Sequence, residues 1–198
     1  MKLLAFADPH GNPAAIKSVT EKAKKENPDL ILCIGDLTDF GRNLEEIASI
    51  LNKLKKPILL IHGNHETEED IKQLAKKHKY IINLHKGLYE HEGFLFFGYG
   101  GEGFHRTDEK FERIAKQVEE TLPENKKLIL LFHEPPYNTK LDKMPHAHVG
   151  SKSYREFIER VEPLLVLTGH IHECEGNQDR IKNTLMIYPQ ASGMIIEI

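Results

Sequence analysis

Twelve histidines are spread through this 198-residue chain, from His10 to His172. Several stand in short clusters with carboxylates, an asparagine and glycines. The clusters are Asp8-Pro9-His10, Gly35-Asp36, His62-Gly63-Asn64-His65-Glu66, the single His133, and Gly169-His170-Ile171-His172. Carboxylates, imidazoles and an amide oxygen make a hard-to-borderline donor set. It suits Mn²⁺, Fe, Zn²⁺ or similar ions and needs no thiolate. Imidazole also titrates near neutral pH and serves as acid or base. The donors suffice for two ions that share a carboxylate. Any one of Asp8, Asp36 or Asn64 could instead cap a helix or shape a turn, but five such clusters argue for a common site.

What must position them is a set of strands. Apolar runs at 3–7, 30–34, 57–61, 128–132 and 164–168 each end at one of the clusters, and further runs lie at 94–97 and 194–198. Amphipathic stretches of helical spacing fill 14–25, 44–54, 68–78, 108–122 and 151–161. Pro13 suits the first turn of the first helix, and Asn27-Pro28 closes it. Strand–helix alternation with continuously apolar strands predicts an α/β fold with a largely parallel sheet buried on both faces. In such sheets ligands bind beyond the carboxyl ends of the strands. Gly35, Gly63 and Gly169 are expected to let the backbone turn tightly toward an ion, and Pro9 to hold Asp8 extended. Residues 174–180 and 181–188 read as short antiparallel strands. Loops 98–107 and 134–150 read as rims of the site. His62 reads as a rim or packing residue, and His85 and His91 as surface or hairpin positions. His105, His146 and His148 fall in the rim loops. Cys33 reads as core and Cys174 as a small buried hydrophobe.

Composition narrows the class. With 27 basic against 30 acidic residues the net charge is −3, and no basic block exists to supply the field of a dedicated nucleic-acid binder. The longest apolar runs are five residues, too short to span a membrane. No signal peptide is expected, because the apolar stretch after Lys2 ends at Asp8. Two cysteines make no disulfide framework, so a cytoplasmic location is expected. The segment 98–103 lacks the Lys-Ser/Thr ending of a phosphate loop, so no organic cofactor is implied. Without repeats or a long linker, residues 1–198 are expected to form one domain.

The ordered set Asp-x-His, Gly-Asp, Gly-Asn-His-Glu, His and Gly-His-x-His resembles the calcineurin-like metallophosphoesterases over residues 8 to 172. The run from His133 to Asp142 is similar to that of a small prokaryotic Icc-related group. This resemblance implies two stacked, mainly mixed β-sheets flanked by helices. It implies two divalent transition-metal ions, Mn favoured, with Fe, Zn, Ni or Mg as alternatives. Asp8, His10 and His172 would hold one ion, Asn64, His133 and His170 the second, and Asp36 would bridge them. A hydroxide between the ions would attack in line, with His65 as general acid and Glu66 orienting it. Protein phosphatases of the family carry Gly-Asp-x-x-Asp-Arg-Gly. Here Phe40 stands at the arginine's place and cannot grip phosphoryl oxygens. The DNA-repair nuclease branch carries an added cap for which 198 residues leave no room. The expected function is therefore a phosphodiesterase acting on a small phosphoester, cyclic or short nucleotides included. The alternatives are a phosphomonoesterase of the same mechanism, or a non-catalytic metal-bound scaffold using an apolar rim of Phe104, Tyr137, Leu141 and Met144. An oligomer is compatible with each reading.

Overall fold

The computed structural model describes residues 1–101, 103–123 and 127–198. Two sheets form. In the first, β1 (Lys2–Phe6), β2 (Leu30–Cys33), β3 (Ile58–Leu60) and β4 (Ile81–Asn83) run parallel, and β11 (Met194–Glu197) lies antiparallel beside β1. In the second, β6 (Phe94–Tyr99), β7 (Lys127–Phe132), β8 (Leu165–Leu167) and β10 (Thr184–Ile187) are parallel. Its antiparallel edges are β5 (Leu88–His91) and β9 (Gln178–Ile181). Helices α1 (Pro13–Glu26), α2 (Leu44–Asn52) and α3 (Glu68–Lys77) follow strands of the first sheet, and α4 (Glu109–Thr121) and α5 (Lys152–Val161) those of the second.

The two-residue period of a strand sorts side chains between two cores. Leu3 and Ala5 join Leu30, Leu32 and Leu59 against Phe96 and Leu130 of the second sheet. Leu4 and Phe6 turn the other way, onto Ile16 and Val19 of α1, Ile47 of α2 and Ile71 of α3. Each such fully buried Leu, Ile or Phe contributes roughly 1.5–3 kcal/mol of transfer free energy. Phe111 of α4 and Phe157 of α5 are fully buried in the inner cluster with Phe132. The helices are set by local chemistry. Asn12 caps α1 through the amide of Ala14 at 2.9 Å, Pro13 opens it, and left-handed Asn27 ends it. Thr67 and Asp70 form a reciprocal capping box at α3.

Two mixed sheets flanked by helices match the sandwich implied by the resemblance and replace the single largely parallel sheet predicted from alternation. Buried strands of both sheets are apolar on both faces, so alternation alone cannot divide them. β4 and β5 are strands that the sequence reading did not predict. Of the segment 174–180, only the part from Gln178 is strand, because residues 172–174 form a 3₁₀ turn. Asp8 is not extended but left-handed, with φ 53°. Its N–H donates to the Gly35 carbonyl at 3.2 Å, which turns the chain off β1 at once. Among the described residues, no helix is long and apolar enough to cross a membrane.

Candidate metal centre

The carboxyl ends of β1, β2 and β3 from one sheet meet those of β7 and β8 from the other. Asp8, His10 and His172 offer donor atoms within 4.8 Å of one another, and so do Asp36, His133 and His170. The His10 and His172 Nε2 atoms are 3.0 Å apart, the spacing of two donors at right angles on one ion with bonds of ~2.1 Å. Asn64 Oδ1 lies 2.9 Å from His170 Nδ1 and 3.3 Å from His133 Nε2. Between the clusters, Asp36 Oδ2 stands 3.8 Å from His10 Nε2 and 3.5 Å from His133 Nε2.

The surroundings orient these donors. His133 is fully buried and its Nδ1 donates to the Ile34 carbonyl at 2.8 Å, leaving Nε2 facing the centre. Asp36 Oδ1 accepts the His65 amide at 2.9 Å. Asp8 Oδ2 accepts the His170 amide at 3.0 Å and the Tyr188 hydroxyl at 2.6 Å, whereas its buried Oδ1 accepts no hydrogen bond and has only His133 Nδ1 near it, at 3.9 Å. Such an orphaned, buried carboxylate oxygen amid converging imidazoles fits a cation, and the donor set fits two. Gly35 makes the expected tight turn, with φ 95°, whereas Gly63 and Gly169 act differently. A Cβ on Gly63 would lie 2.1 Å from Asp36 Oδ1, and one on Gly169 would lie 2.6 Å from Asp8 Oδ2. Their chief contribution is room for two carboxylates.

Electrostatics without metal shows how the site handles its charge. Burial works to raise Asp36, but the hydrogen bond and charge of His133 and the His65 amide outweigh it, and Asp36 is held well below the usual carboxylate range. Burial of His133 is likewise overcome by Asp36 and Asp8, and its pKa is pushed up to about 9. Burial, followed by the charge of His133, lowers His170 to about 4. Burial also lowers His10, and it raises Asp8. A proton on His133 is thus held by the two buried carboxylates it faces.

His65 lies beside both clusters, its Nε2 4.0 Å from Asp36 Oδ2. Glu66 does not meet the His65 ring in any hydrogen bond among the described residues. Its Oε1 accepts both the amide and the hydroxyl of Thr38 at 2.7 Å. The group facing His65 Nδ1 is Asp39, at 3.5 Å, and the Phe40 ring stacks on His65 with centroids 4.0 Å apart. Sequence reasoning missed Asp39 and Tyr188. Tyr188 follows β10 as the predicted ligands follow their strands, a signal hidden by reading 181–188 as purely antiparallel.

His62 is buried, as a packing residue should be. His85 is no surface position, since its side chain is 3% exposed. Its Nδ1 accepts the Gly100 amide at 2.8 Å, and its ring packs against His62 at 4.4 Å. Cys33 and Cys174 are both buried and free. The expected apolar rim does not form as one surface. Leu141 is fully buried, Met144 packs on the core, and Tyr137 lies beneath Arg106 at 4.0 Å, which leaves Phe104 exposed. Glu102 of the first rim loop lies outside the described residues.

Known proteins resemble this chain in sequence and in fold. Protein MJ1162 of Methanocaldococcus jannaschii is 30% identical over 207 residues, covering 99% of this chain and 91% of its own. A probable glycerophosphodiester phosphodiesterase GpdQ of Arcobacter nitrofigilis is 27% identical over 164 residues, 75% of this chain and 58% of its own. The crystal structure of TT1561 of Thermus thermophilus superposes with a TM-score of 0.77 at 20% identity, covering 96% of this chain and 90% of that one. The model of the calcineurin-like phosphoesterase family matches residues 1–174. That span carries every strand-end donor described above. By this match the chain belongs to the calcineurin-like phosphoesterases, metal-dependent hydrolases with a dinuclear site.

Proposed function

We propose that the chain hydrolyses phosphodiesters with two divalent transition-metal ions, Mn²⁺ favoured. Asp8, His10 and His172 hold one, Asn64, His133 and His170 the other, and Asp36 bridges them. The observation that carries this reading is Asp36 Oδ2, which faces an imidazole of each cluster at 3.8 and 3.5 Å. Bound there, two ions would lower the pKa of an attacking water from ~15.7 to near 7 and draw charge from the phosphoryl oxygens.

The chain's own groups supply the rest. His65 holds a proton at Nε2 for the departing alkoxide, with Nδ1 turned toward Asp39. Glu66 positions the turn at 38–41 through Thr38, and Thr38 Oγ1 in turn accepts the Gly41 amide at 3.1 Å. That turn carries Asp39 and Phe40, which touch the His65 ring, and His10 meets the same ring edge-on at 4.5 Å. Diesters are favoured over monoesters for two reasons. A monoester's second negative charge calls for a cationic clamp, and Phe40 occupies the place of one. The Arcobacter relative's name also points to diesters. The test compares bis(4-nitrophenyl) phosphate with 4-nitrophenyl phosphate on protein of measured Mn²⁺, Mg²⁺, Zn²⁺ or Fe²⁺ content. A tenfold or greater kcat/KM preference for the diester supports the proposal. Preference for the monoester, or no turnover of either with two ions bound, overturns it.

A further inference from the structure

We infer that Phe40 is a positioning residue for His65: its ring seats the imidazole and keeps water from the nitrogen that faces Asp39. This rests on the phosphodiesterase reading above, in which His65 carries the proton for the departing alkoxide.

Phe40 is an unusual residue for its place. It is 74% exposed, the most of any large apolar residue among those described, so its ring fills no core. Its backbone is left-handed, with φ 50°, which a glycine would adopt more easily. Such a conformation persists where the surroundings impose it, and it concentrates at working sites. Here the surroundings are buried polar groups. Glu66 Oε1 accepts the Thr38 amide and hydroxyl at 2.7 Å, and Thr38 Oγ1 accepts the Gly41 amide at 3.1 Å, so both flanks of Phe40 are tied. The product of this strained, fixed turn is one ring contact. Phe40 lies on His65 with centroids 4.0 Å apart and planes 23° from parallel.

The His65 ring has need of a seat. Its Nδ1 is buried and makes no hydrogen bond. Asp39 Oδ1 stands 3.5 Å from Nδ1, and Asp36 Oδ2 stands 4.0 Å from Nε2. Both distances exceed a good hydrogen bond, so neither carboxylate fixes the ring by itself. Rotation about χ2 would swing both nitrogens off line. With Phe40 stacked on it and His10 edge-on at 4.5 Å, the ring plane is set. The stack also governs how much Asp39 counts. The Asp39 side chain is 48% exposed, and a pair open to water contributes little. Nδ1 is nevertheless shut from water, and the covering ring belongs to the residue next to Asp39. With Nδ1 committed to Asp39, the transferable proton sits on Nε2.

Aromatic pairs of this kind shift equilibria roughly 2–13-fold beyond the area they bury. The experiment compares methyl phenyl phosphate with methyl 4-nitrophenyl phosphate on Mn²⁺-loaded protein. The two differ in how strongly the leaving oxygen needs a proton. In Phe40→Leu, kcat on the phenyl ester should fall roughly 2–13-fold and on the nitrophenyl ester stay within about twofold, with KM and bound Mn²⁺ unchanged. Phe40→Tyr should restore the rate. Phe40→Gly relieves the left-handed turn, so it should fold at least as stably and still lose the same rate. An NMR arm on Zn²⁺-loaded protein needs no turnover. The His65 ring protons, assigned by their absence in His65→Ala, should be shifted upfield by the Phe40 ring, and Phe40→Leu should abolish that shift. Equal losses on the two esters, a full phenyl-ester rate in Phe40→Gly, or His65 signals unmoved in Phe40→Leu would each overturn the inference. So would cleavage of the nitrophenyl ester alone by the unmutated protein, since no acid is then at work. If neither ester is cleaved, the phosphodiesterase reading fails, while the NMR arm still decides whether Phe40 seats the ring.

Discussion

Tyr188→Phe deletes one oxygen from the interior and tests whether Asp8 is a metal ligand held from behind. Tyr188 is 1% exposed, and its hydroxyl donates to Asp8 Oδ2 at 2.6 Å. Burial, and then the charge of Asp8, keep the phenol protonated far above its ordinary range, so it remains a donor throughout. Once it is gone, the His170 amide at 3.0 Å is the remaining donor to that oxygen. A hydrogen bond to a charged group is worth ~1.5–3 kcal/mol, about 10–150-fold in a dissociation constant. Loss of an outer partner of a metal ligand typically costs 10–100-fold, which agrees. The pH dependence has a definite sign. Burial raises Asp8, and the Tyr188 bond is one of the interactions opposing that rise. Without it the carboxyl holds its proton to higher pH, and that proton must leave when metal binds. Mn²⁺ titrations of chelator-stripped protein should therefore show one of two sites weakened 10–100-fold, with its onset moved to higher pH. The other site should stay within about threefold. Two sites both unchanged to within threefold, in a folded variant, would refute the assignment of Asp8 and its support.

Asp36→Asn should reduce bound metal at both sites whereas His172→Ala should chiefly empty one, as elemental analysis of the purified proteins would show. Gly63→Ala pushes a methyl against Asp36 Oδ1 and should cost ~1–3 kcal/mol in denaturant unfolding together with most metal binding. In chelated protein His133 has its pKa raised from 6.5 to about 9, so the stability from its proton is full below 6.5 and lost as pH rises through 9. Melting temperatures of the stripped protein should fall over that window, and those of the Mn²⁺-loaded protein should not. His65→Ala should retain both ions and lose far more rate on an alkyl ester than on a nitrophenyl ester, up to the ~10²–10⁴-fold typical of a general acid. Equal losses on the two esters would remove it from that role.

The strand-end donors were legible because each follows an apolar run, and the structure gathers Asp8, Asp36, Asn64, His133 and His170 at one edge. The strands missed were short or half exposed. In β4 only Ile81 is fully buried, and β5 alternates exposed Leu88 and Glu90 with partly buried Tyr89 and His91. The tight turn at Glu92-Gly93, with φ of 48° and 83°, was the available hairpin signal. Asp39 and Tyr188 were missed for another reason. Asp39 meets His65 across 26 residues of chain and Tyr188 meets Asp8 across 180, so only the sheet order reveals either contact.

The donors of both clusters are divided between two stretches of chain, Asp8 to Asn64 on the first sheet and His133 to His172 on the second. The centre is therefore also a clock for assembly. During synthesis the first sheet's donors emerge early and face no imidazole from the other layer until the strands β7 and β8 have been made and docked. The contact between His170 and Asp8 closes a span of 162 residues, and such long-range closure belongs to the late, slow part of folding. Metal capture by the full donor set is thus a report of completion, and a fragment that stops before His133 carries carboxylates for two ions and a home for neither.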